Sequence, residues 1–105
     1  MPAYVISMMA IHDPKTYRKY TDLTPPTVKR HGGKFLTRGD AVTTAEGEPF
    51  TERMVILEFP DRQHAEDWLK DPDYEAAAKF RRAASTSRLI IQEARPNTID
   101  PDPML

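Results

Sequence analysis

Apolar residues along the chain fall into short runs separated by breaks at proline and glycine. Tyr4 to Ala10 carries Val5, Ile6, Met8 and Met9, is too short for a typical helix and stops before Asp13-Pro14, so it reads as a first strand. Asp13 has the form of an N-cap with proline at the first helical position: the carboxylate accepts from the orphan amides, and Pro14 has no amide to orphan. Tyr17, Tyr20, Thr24, Val28 and His31 then recur at spacings of three and four, which predicts one buried helix face. Pro25-Pro26 removes two backbone donors and predicts a kink or break, with Thr24 capping a second segment. Gly32-Gly33 supplies the helix stop.

Lys34 to Arg38 is a second strand ended by Gly39, and residues 40–52 read as a loop in which Ala41-Val42-Thr43 can extend that strand. Arg53 to Phe59 is the clearest strand, with the uninterrupted core Met54-Val55-Ile56-Leu57. Asp61 caps a helix that sets Ala65, Trp68 and Leu69 on one face, and Asp71-Pro72 restarts it into the alanine-rich run through Arg81. The second helix is therefore bipartite. Arg88 to Glu93, around Leu89-Ile90-Ile91, is the fourth strand. These elements predict one domain over residues 1–95, followed by an extended proline-bearing tail over 96–105.

The order strand, helix, strand, strand, helix, strand is that of the split βαβ unit, an α+β ferredoxin-like fold with a four-stranded antiparallel sheet and its helices on one face. The other face is left bare. A sheet with one solvated face alternates apolar and polar residues, yet Met54 to Leu57 and Val5, Ile6, Met8 and Met9 are apolar on both parities. These belong to the two central strands, so their second face needs a cover, and a second copy of the sheet is the economical one. A homodimer is expected.

Composition narrows the partners. With 105 residues, 39% hydrophobic and 30% charged, the chain is sized for one core. A mean hydropathy of -0.63 argues against a membrane span. A formal charge of -1 gives no basic field for nucleic acid or anionic lipid, which leaves another copy of the chain and a small molecule as partners. The absence of cysteine excludes disulfides, thiolate catalysis and Cys-ligated metal. Met1 to Ser7 has no basic n-region and enters the first strand directly, so a cytoplasmic location is expected.

No constellation of familiar chemistry is present. His12, His31 and His64 are widely spaced, with no pair that shares a helix face, so neither a metal nor a cofactor is expected. His31 is placed to close a helix C-terminus, where a cation meets the negative end of the dipole. Gly33-Lys34 fails as a phosphate loop because Val28 and Phe35 stand at its glycine and hydroxyl positions. Tyr17, Tyr20, Arg38, Arg53, Glu58, Trp68, Tyr74 and Arg81 remain. Glu58 shares a strand face with Met54 and Ile56, so under a cover its carboxylate needs a cation, with Arg38 and Arg53 as the expected partners.

This set has two readings. In one, Tyr17, Arg38, Arg53, Trp68, Tyr74 and Arg81 line a cavity for a small oxygenated or anionic organic molecule, and Glu58 or His12 accepts a proton in cofactor-independent oxygenase or isomerase chemistry. In the other, the same residues form ion pairs and packed core in a non-catalytic, dimeric ligand-binding or structural module.

Asp13-Pro14 with Tyr17 and Tyr20, Gly32-Gly33-Lys34-Phe35-Leu36 with Arg38-Gly39, Glu52-Arg53, Glu58-Phe59-Pro60, Trp68, Asp71-Pro72 with Tyr74, and Arg81 together resemble the family catalogued as domain of unknown function 1330. The resemblance spans roughly residues 3 to 94. It implies a dimeric α/β barrel and brings no assigned reaction, although the wider barrel superfamily includes cofactor-independent monooxygenases, isomerases and haem enzymes. Asp40, where a second glycine is expected, and the double proline depart from the family pattern.

Overall fold

Seven elements follow one another in the computed structural model, which describes residues 1–96, 99–102 and 104. They are β1 (Ala3–Ile11), α1 (Pro14–Arg30), β2 (Lys34–Arg38), β3 (Arg53–Phe59), α2 (Arg62–Lys70), α3 (Pro72–Ala84) and β4 (Ser85–Glu93). The sheet is antiparallel with the order β2-β3-β1-β4, so β1 and β3 are the central pair and the chain has the ferredoxin-like α+β fold. In the tail, residues 97, 98, 103 and 105 lie outside the described ones, and the rest of it carries no helix or strand.

Strand parity divides the sheet into two unlike faces. Val5, Ser7 and Met9 of β1 and Val55, Leu57 and Phe59 of β3 are buried under the helices. Tyr4, Ile6 and Met8 of β1, with Met54, Ile56 and Glu58 of β3, point to the open face and are half-buried in a single chain. There Ile6 sits between Ile56 and Ile90, and Met8 opposite Met54.

An aromatic chain fills the helix side. Tyr17 leads to Tyr20 (ring centroids 5.5 Å), Tyr20 to Tyr74 (6.1 Å), Tyr74 to Trp68 (4.1 Å) and Trp68 to Phe59 (5.3 Å). Trp68 is fully buried, and its indole N–H donates to Thr27 Oγ1 at 3.0 Å, so no polar atom of the ring is stranded. The alanines of α3, with Ala77 and Ala78 fully buried, let that helix lie close to its neighbours.

The double proline does not break α1. One continuous helix runs from Pro14 to Arg30 with both prolines inside it, and Thr24 donates back to the Tyr20 carbonyl at 2.6 Å instead of capping a second segment. Tyr20, Thr24, Thr27 and Val28 are buried on both sides of the prolines along one face, so packing holds the axis. The carbonyls of Thr21 and Asp22 lose their i+4 donors, but Asp22 is exposed and Thr21 half-exposed, so solvent compensates.

Three further expectations need correction. Ala41 to Thr43 does not extend β2, because Gly39 (φ 76°) turns the chain away and Asp40 Oδ2 accepts from the Arg38 amide at 2.8 Å. β4 begins at Ser85, directly from α3, because those residues continue the ladder to β1 as far as Ile11 opposite Ser85. Glu58 pairs with neither arginine: Lys34, its cross-strand partner, places Nζ at 3.1 Å.

Helix ends are tied together at Asp71. Its carboxylate accepts the Asp73 amide at 2.8 Å as the N-cap of α3, and it meets His31 Nε2 at 2.8 Å and Arg30 at 2.7 Å from the end of α1. His31 is the C-cap expected of it, with this hydrogen bond to Asp71 in addition. The His31 hydrogen bond, helped by the Asp73 amide and Arg30 against the opposing effect of burial, holds the Asp71 carboxyl down at about 2. A depressed carboxyl stabilises the fold above its unfolded value of about 3.8 and loses that contribution as pH falls towards 2. Acid titration of the thermal midpoint should therefore steepen over that window in the wild type and flatten in Asp71→Asn.

Close packing at Gly33 yields a second expectation. A Cβ there would lie 2.5 Å from Phe59 Cε1 and 2.9 Å from Val28 Cγ1, both in the core. Gly33→Ala should cost about 1–3 kcal/mol by overpacking, read from the denaturant midpoint.

Candidate functional site

The long β2–β3 connection leaves the sheet at Arg38 and re-enters it at Arg53, so both guanidiniums stand at its root, beside α1. Gly39 holds a left-handed φ of 76°, which favours glycine, and its bare α-carbon lies beside the Arg53 guanidinium. Arg53 extends over the Tyr17 ring, 5.9 Å from its centroid, and Arg38 over Phe35 at 4.3 Å. Neither arginine forms an ion pair among the described residues, and Arg53 Nε is buried without a hydrogen-bond partner.

These side chains form the neck of a two-part cavity. Outside it lies an open cleft of about 390 Å³ lined by Ile11, Pro14, Arg18 and Asp22, together with Tyr17, Thr21, Arg38 and Arg53. Inside it is an apolar chamber of about 30 Å³, the room of a water or a single small group, between Met9, Val55, Leu57, Leu89 and Trp68. Tyr17, Thr21, Arg38 and Arg53 border both spaces.

Electrostatically the cleft is cationic, and its inner walls are neutral. Burial raises the Tyr17 phenol above its ordinary range, with the Arg53 charge opposing the shift. Burial and the neighbouring Tyr74 hydroxyl, 3.1 Å away, push Tyr20 up much further. Both phenols stay protonated at neutral pH. Among the described residues no carboxylate or imidazole lines the chamber, and Asp22 is the acid of the outer cleft.

Of the residues singled out from the sequence, the fold brings Tyr17, Tyr20, Arg38, Arg53 and Trp68 to this cavity. Tyr74 and Arg81 stand behind its wall. Tyr74 is fully buried against Tyr20 and Trp68, and Arg81, 6% exposed, lies 5.6 Å from the Tyr20 ring centroid and donates to Ser87 Oγ. Arg81 also lacks an ion pair among the described residues, and its Nε has no partner. Glu58 projects from the opposite face of the sheet, and His12 is an exposed residue after β1 that lines neither space. Asp22 carries no sequence signal of its own. Strand parity alone could have found Ser7, a lone hydroxyl on the apolar, helix-facing side of β1.

Among the described residues no group of three or more side chains could hold a metal ion, and no helix is long and apolar enough to cross a membrane.

Comparison with known proteins places the fold. No curated protein matches the chain. Solved structures do: RPA0582, a protein of unknown function from Rhodopseudomonas palustris, is 25% identical with a TM-score of 0.74 over 90% of this chain and 84% of that one. SnoaB, a cofactor-independent oxygenase from Streptomyces nogalater, is 16% identical with a TM-score of 0.61 over 94% and 98%. A dimeric protein of unknown function with a ferredoxin-like fold from Bacteroides fragilis is 12% identical with a TM-score of 0.58 over 89% and 96%. The last two likenesses concern the fold. Residues 2–94 match the family described as "Domain of unknown function (DUF1330)", so the chain belongs to the DUF1330 family.

Proposed function

We propose that this chain works as a homodimer that binds a small, oxygenated organic anion in the cleft between α1 and the root of the β2–β3 loop. The observation that carries this reading is the pair Arg38 and Arg53, two guanidiniums at one neck without an ion pair among the described residues. Arg38 is exposed to solvent at the mouth, whereas Arg53 is half-buried, where an arginine is ordinarily paired. Here Arg53 Nε is buried and unpartnered, which an arriving oxyanion would correct. Tyr17, Ile11 and Pro14 offer the apolar wall for the body of the ligand.

The same neck supports one kind of chemistry. Guanidiniums aimed at a developing enolate or phenolate stabilise it, as cofactor-independent oxygenase or isomerase steps require, and SnoaB carries such an activity on this fold. With no carboxylate or imidazole lining the chamber among the described residues, the proton has to leave through the ligand's own acidity or by way of Asp22. That absence of an inner base favours the second reading, a module that binds the anion without transforming it.

Thermal-shift screening of small carboxylates, phenols and quinones tests binding. Arg38→Ala and Arg53→Met, the latter keeping its packing stem, should each weaken the stabilising ligand by about tenfold or more while leaving the apo fold intact. An unchanged ligand shift in both variants would remove the cleft reading.

The open face supplies the dimer: Ile6, Met8, Met54, Ile56 and Ile90 form a contiguous apolar stripe across three strands. Light scattering should give about twice the 12.0 kDa chain mass for the wild type and a monomer for Ile56→Lys. A wild-type monomer at micromolar concentration would refute the pairing.

A further inference from the structure

Ser7 is a chamber residue whose chemistry does not fit its apolar surroundings. It lies on β1 in the middle of the sheet, 5% exposed, and its hydroxyl has no hydrogen-bond partner among the described residues. The register explains why. Its cross-strand neighbours are Val55 on one side and Leu89 on the other, neither of which offers a donor or acceptor. An alanine would fill this position without stranding a polar group.

We propose that Ser7 is a specificity residue of the cleft, reading a second oxygen at the inward end of the ligand; this rests on the anion-binding reading above. Geometry sets the span. Arg53 is opposite Met9 and Val55 is opposite Ser7, so the Ser7 backbone lies two residues deeper along the strands than the backbone of Arg53, about 7 Å further in. One six-membered ring with substituents at opposite ends bridges that gap. Its body rests in the cleft and neck against Tyr17, its anionic oxygen meets Arg38 and Arg53, and only the far substituent enters the chamber. A chamber of about 30 Å³ admits one such group, and a hydroxyl or carbonyl oxygen there completes Ser7, while a bare C–H leaves it stranded. The ligand class is therefore a flat organic acid or phenolate with a hydrogen-bonding oxygen opposite its anionic end.

Isothermal titration of the full chain with benzoate and 4-hydroxybenzoate tests this. The wild type should prefer the hydroxylated acid by about tenfold, one well-made buried hydrogen bond. Ser7→Ala should bind benzoate as the wild type does and lose the preference, and its apo form should melt at the same temperature or higher, because the substitution removes a stranded hydroxyl. If benzoate binds but the preference is missing in the wild type or persists in Ser7→Ala, the Ser7 assignment is overturned and the anion cleft stands. A marked loss of apo stability in Ser7→Ala would show a structural hydroxyl and overturns it equally. If neither acid binds, the Ser7 assignment is overturned, while the cleft reading is decided by the thermal-shift screen.

Discussion

Everything on the helix side of the sheet depends on how one indole is buried. Trp68 stacks on Tyr74 and Phe59, donates its N–H to Thr27, and presents its remaining surface to the chamber. It thereby joins α2, α3, β3 and α1 in a single contact, and its removal would open a cavity of a size that costs about 3–5 kcal/mol in a well-packed core. The hydrogen bond preserves that gain, because an indole N–H buried without a partner would offset part of it. Thr27 can serve it because α1 runs unbroken through its prolines and keeps Thr24 and Thr27 on the buried face.

The candidate site inherits its shape from that packing. The aromatic chain from Phe59 to Tyr17 is continuous, so the wall that ends in Trp68 inside the chamber ends in Tyr17 at its mouth. Arg53 lies against this wall and against Gly39, and the conformation of the β2–β3 root is what leaves room for it. Arg81 supports the tyrosines from behind. The result is an aromatic floor under two cations that have no ion pair among the described residues, whereas Asp71 pairs with Arg30 and Glu58 with Lys34 elsewhere.

Much of this was legible in the chain because its signals are local. Asp13-Pro14, Asp61 and Asp71-Pro72 cap the three helices through contacts with residues two or three positions away, and each works as read. The element order makes β1 and β3 the central pair of the split βαβ topology, as the sheet shows, and both carry apolar residues on both faces. The local rules failed where a distant contact competes with them. Pro25-Pro26 interrupts an isolated helix, but here the buried face on either side outweighs two lost hydrogen bonds. Glu58 was matched to arginines by charge, although strand parity already puts it on the opposite face from Arg53, and the structure gives it the lysine next door.

The sequence by itself determined the element order, the caps, the central strands and the residue types from which a cleft is built, because these follow from spacings along one chain. Only the tertiary structure decided which of those residues meet. Tyr17, Arg38, Arg53 and Trp68 come together across the helix layer, Glu58 and His12 do not, and Ser7 gains meaning only from the apolar neighbours that the β1 register gives it. Register and packing are set by contacts between distant parts of the chain, and no local pattern encodes which buried hydroxyl will be left without a partner.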